Sequence, residues 1–438
     1  MSVYTLTEGN DLFYDNAESN EIIADAGDDR IFANEGNDTV RGNSGNDSLY
    51  GWTGNDLLNG GNGNDVLYGE AGNDVLNGGN GNDSLYDEEG RNTLNGGNGD
   101  DRITSGDSDD MMYGGANNDF MVNYGGSDMM YGNGGNDNLY DRLMSANDGA
   151  VSMDGGTGAD VLIASGTLVS DGAHVQDTLS GGDGNDLIIN TRVTGALSTD
   201  RKILLSGGNG NDIITSAPFH GFLQTQQAEI YGGAGNDTIT VNGVNGADYV
   251  DGGDGNDVIE RITLGTRYPG ELAVSDAIDT ITGGAGNDTL IGGRYEGTDH
   301  FSGGEGDDVF VYEYTTYRPA TARTNITFPG DNEYSHTMNI LDFEAGADSI
   351  VFKAVDTDYY ANGTMQVRSL LHFAPEDYFN VDGDDMIITP LRSDSSDVIV
   401  VEGGAAYAWN ISVTEGSVDL AGNGNYQTTY EITFNAYL

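Results

Sequence analysis

The residues able to do chemistry in this chain are aspartates, and they recur at a fixed interval. From Leu6 to Tyr140 the sequence divides into fifteen nine-residue units without insertion or deletion, aligned as Gly-Gly-x-Gly-x-Asp-x-U-x with U a large apolar residue. Column six reads Asp11, Asn20, Asp29, Asp38, Asp47, Asp56, Asp65, Asp74, Asp83, Asn92, Asp101, Asp110, Asp119, Asp128 and Asp137. The chain has no cysteine, which excludes thiolate sites and leaves these carboxylates as donors for a hard, oxygen-loving metal.

The repeat also dictates the elements that must hold them. Glycine in almost every unit excludes long helices and leaves each unit a three-residue strand between turns. Such strands become stable when the chain coils, alternate units stacking in two parallel sheets with apolar column eight, from Phe13 through Leu49, Leu67 and Leu85 to Leu139, filling the space between. One coil is then two units, and the stretch forms a rod on the order of 36 Å long. Column four is mostly Gly and column five mostly Asn, as in Asn37, Asn46, Asn55 and Asn64. Both types tolerate positive φ, so the turn is expected to curl its carbonyls inward. Carbonyls and aspartates of stacked turns make an oxygen cage that suits calcium better than the smaller, water-retaining magnesium.

Column nine carries a second pattern at eighteen residues: Tyr14, Phe32, Tyr50, Tyr68 and Tyr86 on one sheet, and Asn59, Asn77 and Asn95 on the other. The aromatic file reads either as copies stacking on one another between coils or as an exposed strip for packing on another molecule.

After Tyr140 the turns are spaced more widely. They begin at Gly155, Gly181, Gly207, Gly232, Gly252, Gly283 and Gly303, with ligand candidates Asp160, Asp186, Asp212, Asp237, Asp257, Asp288 and Asp308. Arg294 to Ser302 reads as a degenerate unit with Asp299 as its candidate. One edge is therefore expected to keep its calcium file while the other exchanges its turns for loops, for example Asn190 to Lys202, Ala217 to Gln227 and Arg261 to Ser275. Those loops are either binding elements or passive insertions.

From residue 312 glycine thins and apolar β-formers become dense, as in Ile350-Val351-Phe352 and Val398-Ile399-Val400-Val401. The expected organisation is all-β: a regular roll over 1–140, wider coils of parallel β-roll or β-helix solenoid over 141–311, and a β-rich carboxy-terminal cap over 312–438.

The nonapeptides of 6–140 resemble the RTX (repeats-in-toxin) family. The run Gly303-Gly304-Glu305-Gly306-Asp307-Asp308-Val309-Phe310-Val311, followed by Ile340-Leu341-Asp342-Phe343, resembles the carboxy-terminal region of RTX proteins exported by type I secretion. That resemblance implies a calcium-binding, secreted protein at the cell exterior, with Tyr430 to Leu438 suited to an uncleaved export signal. Asn20 and Asn92 depart from the pattern, as do Glu18 and Arg91 in the same turns, which puts calcium in doubt there.

The net charge of -56, from 72 acidic and 16 basic residues, speaks against nucleic acid, whose phosphates require a positive surface. Met1 to Asn10 lack the basic region and apolar run of a cleaved signal, and no apolar stretch reaches membrane-spanning length. None of His174, His220, His300, His336 and His372 begins a His-Glu-x-x-His motif, and neither a nucleophile elbow nor a phosphate-binding loop occurs. No catalytic residue is assigned.

The expected mechanism is folding driven by roughly 15–20 calcium ions. The first coil has at most five residues before it, Met1 to Thr5, to cap it, so the expected role is a structural component of the cell exterior, a filament or surface layer joined head to tail. A monomeric calcium-dependent adhesin contacting a cell surface or polysaccharide, and a β-helical polysaccharide lyase or epimerase, are the alternatives.

Overall fold

The computed structural model describes residues 2–142, 149–168, 176–194, 201–216, 226–241, 247–261, 279–292 and 297–316, and, beyond these, strands between His336 and Tyr437. The loops named above lie largely outside the described residues. Two units are compact in themselves, Met1–Gly233 and Ala234–Leu438.

In the first unit each coil contributes one strand to each of two parallel sheets. Leu57–Asn62 lies between Thr39–Ser44 and Val75–Asn80 in one sheet, and Val66–Ala71 between Ser48–Thr53 and Ser84–Asp87 in the other. The register is set by the repeat: Leu58 faces Val40 and Leu76, and Leu67 faces Leu49 and Leu85. A strand alternates its faces, so column eight points inward while columns seven and nine do not. Ile22, Ile31, Val40, Leu49, Leu58, Leu67, Leu76, Leu85 and Leu94 are fully buried between the sheets.

Positive φ falls on columns two and four rather than on four and five. Asp25, Asn34, Asn43, Trp52, Glu70 and Asn133 take it at column two, with φ between 69° and 77°, and where glycine takes it there φ is larger, as in Gly61 at 120°; Gly63 takes 129° at column four. Column-five asparagine does different work. Asn46 Oδ1 accepts the amide of Asn64 at 2.7 Å, and Asn64 Oδ1 that of Asn82 at 2.8 Å, so the side chain laces each turn to the next from outside.

The outward files are stacks. Ring centroids along Tyr14, Phe32, Tyr50, Tyr68 and Tyr86 lie 4.7 to 5.1 Å apart with interplanar angles of 4° to 16°. Tyr113 and Tyr131 repeat the stack on the opposite sheet at 5.2 Å, and Asn77 bonds Asn59 at 3.0 Å.

The wider coils keep the same register. Met129–Gly134 pairs with Ser152–Thr157, which pairs with Gln176–Asp183, and so to Arg201–Asn209, always parallel. In the second unit Tyr249–Asp254, Thr280–Ala285 and Gly297–Glu305 form one parallel run, and Val258–Arg261, Thr289–Gly292 and Val309–Thr316 the other. Parallel pairing continues past residue 312, where the cap was expected, into His336–Ile340 and Ser349–Asp356. The change comes later: Tyr426–Tyr437 runs antiparallel to both Ser349–Asp356 and Ala408–Asp419.

Candidate metal centre

Column six lines two edges of the coil. On the first edge the Asp47 amide donates to Asp65 Oδ1 at 2.7 Å, the Asp65 amide to Asp83 Oδ1 at 2.7 Å, and the Asp83 amide to Asp101 Oδ1 at 2.7 Å. The same bond links Asp11, Asp29 and Asp47 at the start of the first unit and Asp119, Asp137, Asp160, Asp186 and Asp212 toward its end. In the second unit it links Asp237, Asp257, Asp288 and Asp308.

One carboxylate oxygen is thus committed to the ladder. The other, Oδ2 of Asp29, Asp47, Asp65, Asp83, Asp101, Asp119, Asp137, Asp160, Asp186, Asp257 and Asp288, is buried without a hydrogen-bond partner. A buried carboxylate oxygen lacking a donor is costly. Column one explains the space around it. A Cβ on Gly60 would strike Asp65 Oδ2 and meet the carbonyl of Gly78 at 2.7 Å; on Gly96 it would strike Asp101 Oδ2 and meet the Gly114 carbonyl at 2.7 Å. Glycine is needed there because oxygen atoms crowd the position. Carboxylate and carbonyl oxygens converging in one pocket are the donor set of a calcium site, so the residues present fit that ion.

The second edge begins the same way. Amide-to-Oδ1 bonds run from Asn20 through Asp38, Asp56, Asp74, Asn92 and Asp110 to Asp128, and Oδ2 of Asp38, Asp56, Asp74 and Asp110 lacks a partner. From Asn123 onward protein groups supply the missing donors. Asn123 Nδ2 donates to Asp128 Oδ2 at 2.5 Å and to Asp141 Oδ1 at 3.0 Å. The guanidinium of Arg192, fully buried, joins Asp141, Asp177 at 3.0 Å and the Gly149 carbonyl at 2.9 Å. In the second unit Arg261 joins Asp279 and, at 3.1 Å, Asp299.

Burial sets the electrostatics. It lifts the carboxyls of Asp38, Asp47, Asp65, Asp101 and Asp137 to about 6, Asp56, Asp83, Asp160 and Asp257 to about 7, and Asp119 to about 8, despite the amide bond each accepts. Stacked carboxylates deprived of water resist ionisation. A divalent cation between turns reverses that balance.

Laddered aspartates, reserved oxygen pockets and two parallel sheets define a calcium-binding β-roll. The chain belongs to the RTX calcium-binding nonapeptide repeat family, whose pattern matches residues 6–40, 32–67, 53–85, 86–121, 124–140, 176–189, 204–221, 229–243 and 274–310. No curated protein sequence matches the chain significantly. Among solved structures it is similar to a hyperactive, Ca2+-dependent, β-helical antifreeze protein from an Antarctic bacterium, at 21% identity over 71% of this chain and 85% of that one, with a TM-score of 0.37. It is also similar to the extracellular lipase LipA from Serratia marcescens, at 15% identity over 63% of this chain and 42% of that one, with a TM-score of 0.15.

The aspartates proposed from sequence therefore fall on two edges, with three in distinct surroundings. Asp11 Oδ2 is taken by the amide and hydroxyl of Thr7 at 2.7 and 2.8 Å, Asp128 by Asn123, and Asp299 by Arg261. The periodicity passed over Asp177 in the first unit and Asp248 and Asp279 in the second, each directly before the column-seven register as column six is: the Val151 amide donates to Asp177 Oδ1 at 3.3 Å, and the Asp248 amide to Asp279 Oδ1 at 2.8 Å. A signal existed in the sequence, an Asp directly before the strand residues Thr178, Tyr249 and Thr280.

Proposed function

We propose that this calcium-binding protein is secreted, folds when it meets extracellular calcium, and serves without catalysis as a structural component of the cell exterior, a filament or surface layer. The observation that carries the reading is the file of buried aspartate oxygens without donors, repeated turn after turn. Such a chain is self-repelling where calcium is scarce, which suits passage through an export channel. It closes into coils where calcium reaches the ~10⁻⁴ to 10⁻³ M at which extracellular modules bind.

Assembly is supported by the register. Each coil meets the next through the same parallel contacts, so a coil of one copy can stack on a coil of another by the contact used internally. Val3, in the strand that pairs with Glu21–Ile23, and Leu12 and Tyr14 of the first coil are 60, 62 and 64% exposed, an apolar surface for such stacking. Light scattering and electron microscopy of the full chain after calcium addition test the reading, with fibres or sheets expected. A monodisperse, folded monomer at high concentration overturns the assembly role, and an unchanged circular dichroism spectrum in chelator overturns the calcium-driven folding.

A further inference from the structure

The unit from Asp87 to Asn95 breaks the repeat twice. Asn92 stands in column six, where a turn normally has its aspartate, and Asp87 stands in column one, where Gly60, Gly78 and Gly96 stand. The two changes offset each other in charge: the turn loses one carboxylate and gains another. Asn92 keeps the ladder, its Oδ1 accepting the Asp74 amide at 2.9 Å, while its Nδ2 turns to the Gly90 carbonyl at 3.2 Å.

The displaced carboxylate is the unusual one. Asp87 is 1% exposed, and neither of its oxygens has a hydrogen-bond partner. Asp74 Oδ2 is likewise buried without a partner. The two converge: Asp87 Oδ2 and, at 2.8 Å, Asp74 Oδ2 both crowd the point where a Cβ on Gly69 would lie. At Gly51, one coil earlier, that point is met by Asp56 Oδ2 at 2.5 Å and the Gly69 carbonyl at 2.9 Å. At Gly69 a second carboxylate comes closer than any carbonyl. The nearby Arg91 does not balance it, since its exposed guanidinium pairs with Asp109 at 2.5 Å on the outside. The other asparagine-bearing turn differs. There Asn20 Nδ2 donates to Asp15 Oδ2 at 3.0 Å, so the column-one carboxylate has its donor.

We propose that Asp87 and Asp74 together hold a calcium ion, the column-one carboxylate of Asp87 standing in for the column-six carboxylate that Asn92 lacks. The proposal rests on the calcium-binding reading of the turns and adds a site at the unit where the column-six pattern would place none. Affinity for calcium follows the ligand charge count, and Asp87 keeps that count at the value of an ordinary turn although Asn92 has removed the column-six carboxylate.

Native mass spectrometry of the full chain, titrated with calcium alone, tests this. Asp87→Asn is expected to carry one calcium fewer than the parent, and the double change Asp87→Gly with Asn92→Asp, which rebuilds an ordinary turn, to restore the count. An equal count in Asp87→Asn overturns the proposal and leaves Asp74 and Asp87 sharing a proton. A parent chain that takes up no calcium fails the wider reading instead. Should Asp87→Asn not fold, anomalous diffraction from crystals of the parent grown in calcium decides. A calcium peak about 2.3–2.6 Å from both Oδ2 atoms is expected, and its absence overturns the site.

Discussion

The two edges of the coil are built from the same column of the repeat and differ in what balances their charge. On the first edge of the first unit, from Asp29 to Asp186, and likewise at Asp257 and Asp288 in the ladder of the second unit, the inward oxygen has no protein donor. On the second edge of the first unit that holds at Asp38, Asp56, Asp74 and Asp110 and then ends, because the Asn123 amide and the Arg192 guanidinium take the position; in the second unit, taken by itself, Arg261 does the same beside Asp279 and Asp299. The same buried position accepts a diffusible cation or a tethered one. A diffusible ion would make closure of the coil conditional on calcium. With Arg192 the cation arrives with the chain.

The largest effect expected from this contrast is the loss of the fold on chelation at neutral pH. The far-UV β-signal should collapse cooperatively as calcium is removed and return on its addition, because binding and folding are one equilibrium. Acid should substitute in part. Carboxyls lifted from 3.8 to about 6 to 8, such as Asp56, Asp119 and Asp160, bind more protons folded than unfolded. Their contribution to metal-free stability is therefore fully present below pH 3.8 and is lost as pH rises through 6 to 8. In chelator, lowering the pH from 8 toward 5 should recover β-signal, whereas in calcium the same change should weaken binding by proton competition. A chelated chain that becomes less structured on this acidification would contradict the sign.

Next in size is the tethered cation. Arg192→Met, compared with the parent at one fixed calcium concentration, should cost about 3–5 kcal/mol in denaturant unfolding, because Asp141 and Asp177 stay buried without their partner. If the position is interchangeable, further calcium should restore part of that loss. Leu67→Ala supplies the control: a cavity in the fully buried core costs about 2–5 kcal/mol and no calcium concentration refills it. Equal calcium responses from the two variants would dissolve the distinction between the edges.

The first edge was legible in the sequence because one strict unit fixes ladder, pocket and core together: Asp65, Gly60 and Leu67 are columns six, one and eight of the same nine residues, and their spacing never slips. The second edge of the wider coils was legible only as a loss of turns. Asp177 and Asp279 lie outside any Gly-Gly turn, and their partners Arg192 and Arg261 are 15 and 18 residues distant, at positions that no period announces. Three-dimensional stacking makes them neighbours. Positive φ at Trp52 and Glu70 was hidden for a related reason. The coil imposes a left-handed backbone at column two even where the residue type does not favour it.

The smallest effect belongs to the face rather than the edge. Tyr68 stacks on Tyr50 at 5.0 Å and on Tyr86 at 5.1 Å, and such pairs contribute about 0.5–1.5 kcal/mol beyond buried area. Tyr68→Ala should lower the thermal midpoint in saturating calcium modestly and leave the calcium midpoint of folding almost where it was. The stack joins neighbouring coils through column nine, on the outward face of the sheet, and not through the column-six ladder at the edge. A calcium midpoint moved as far as that of Arg192→Met would mean that the aromatic file also holds the turns in register. Charge balance at the edges would then share control of closure with the face.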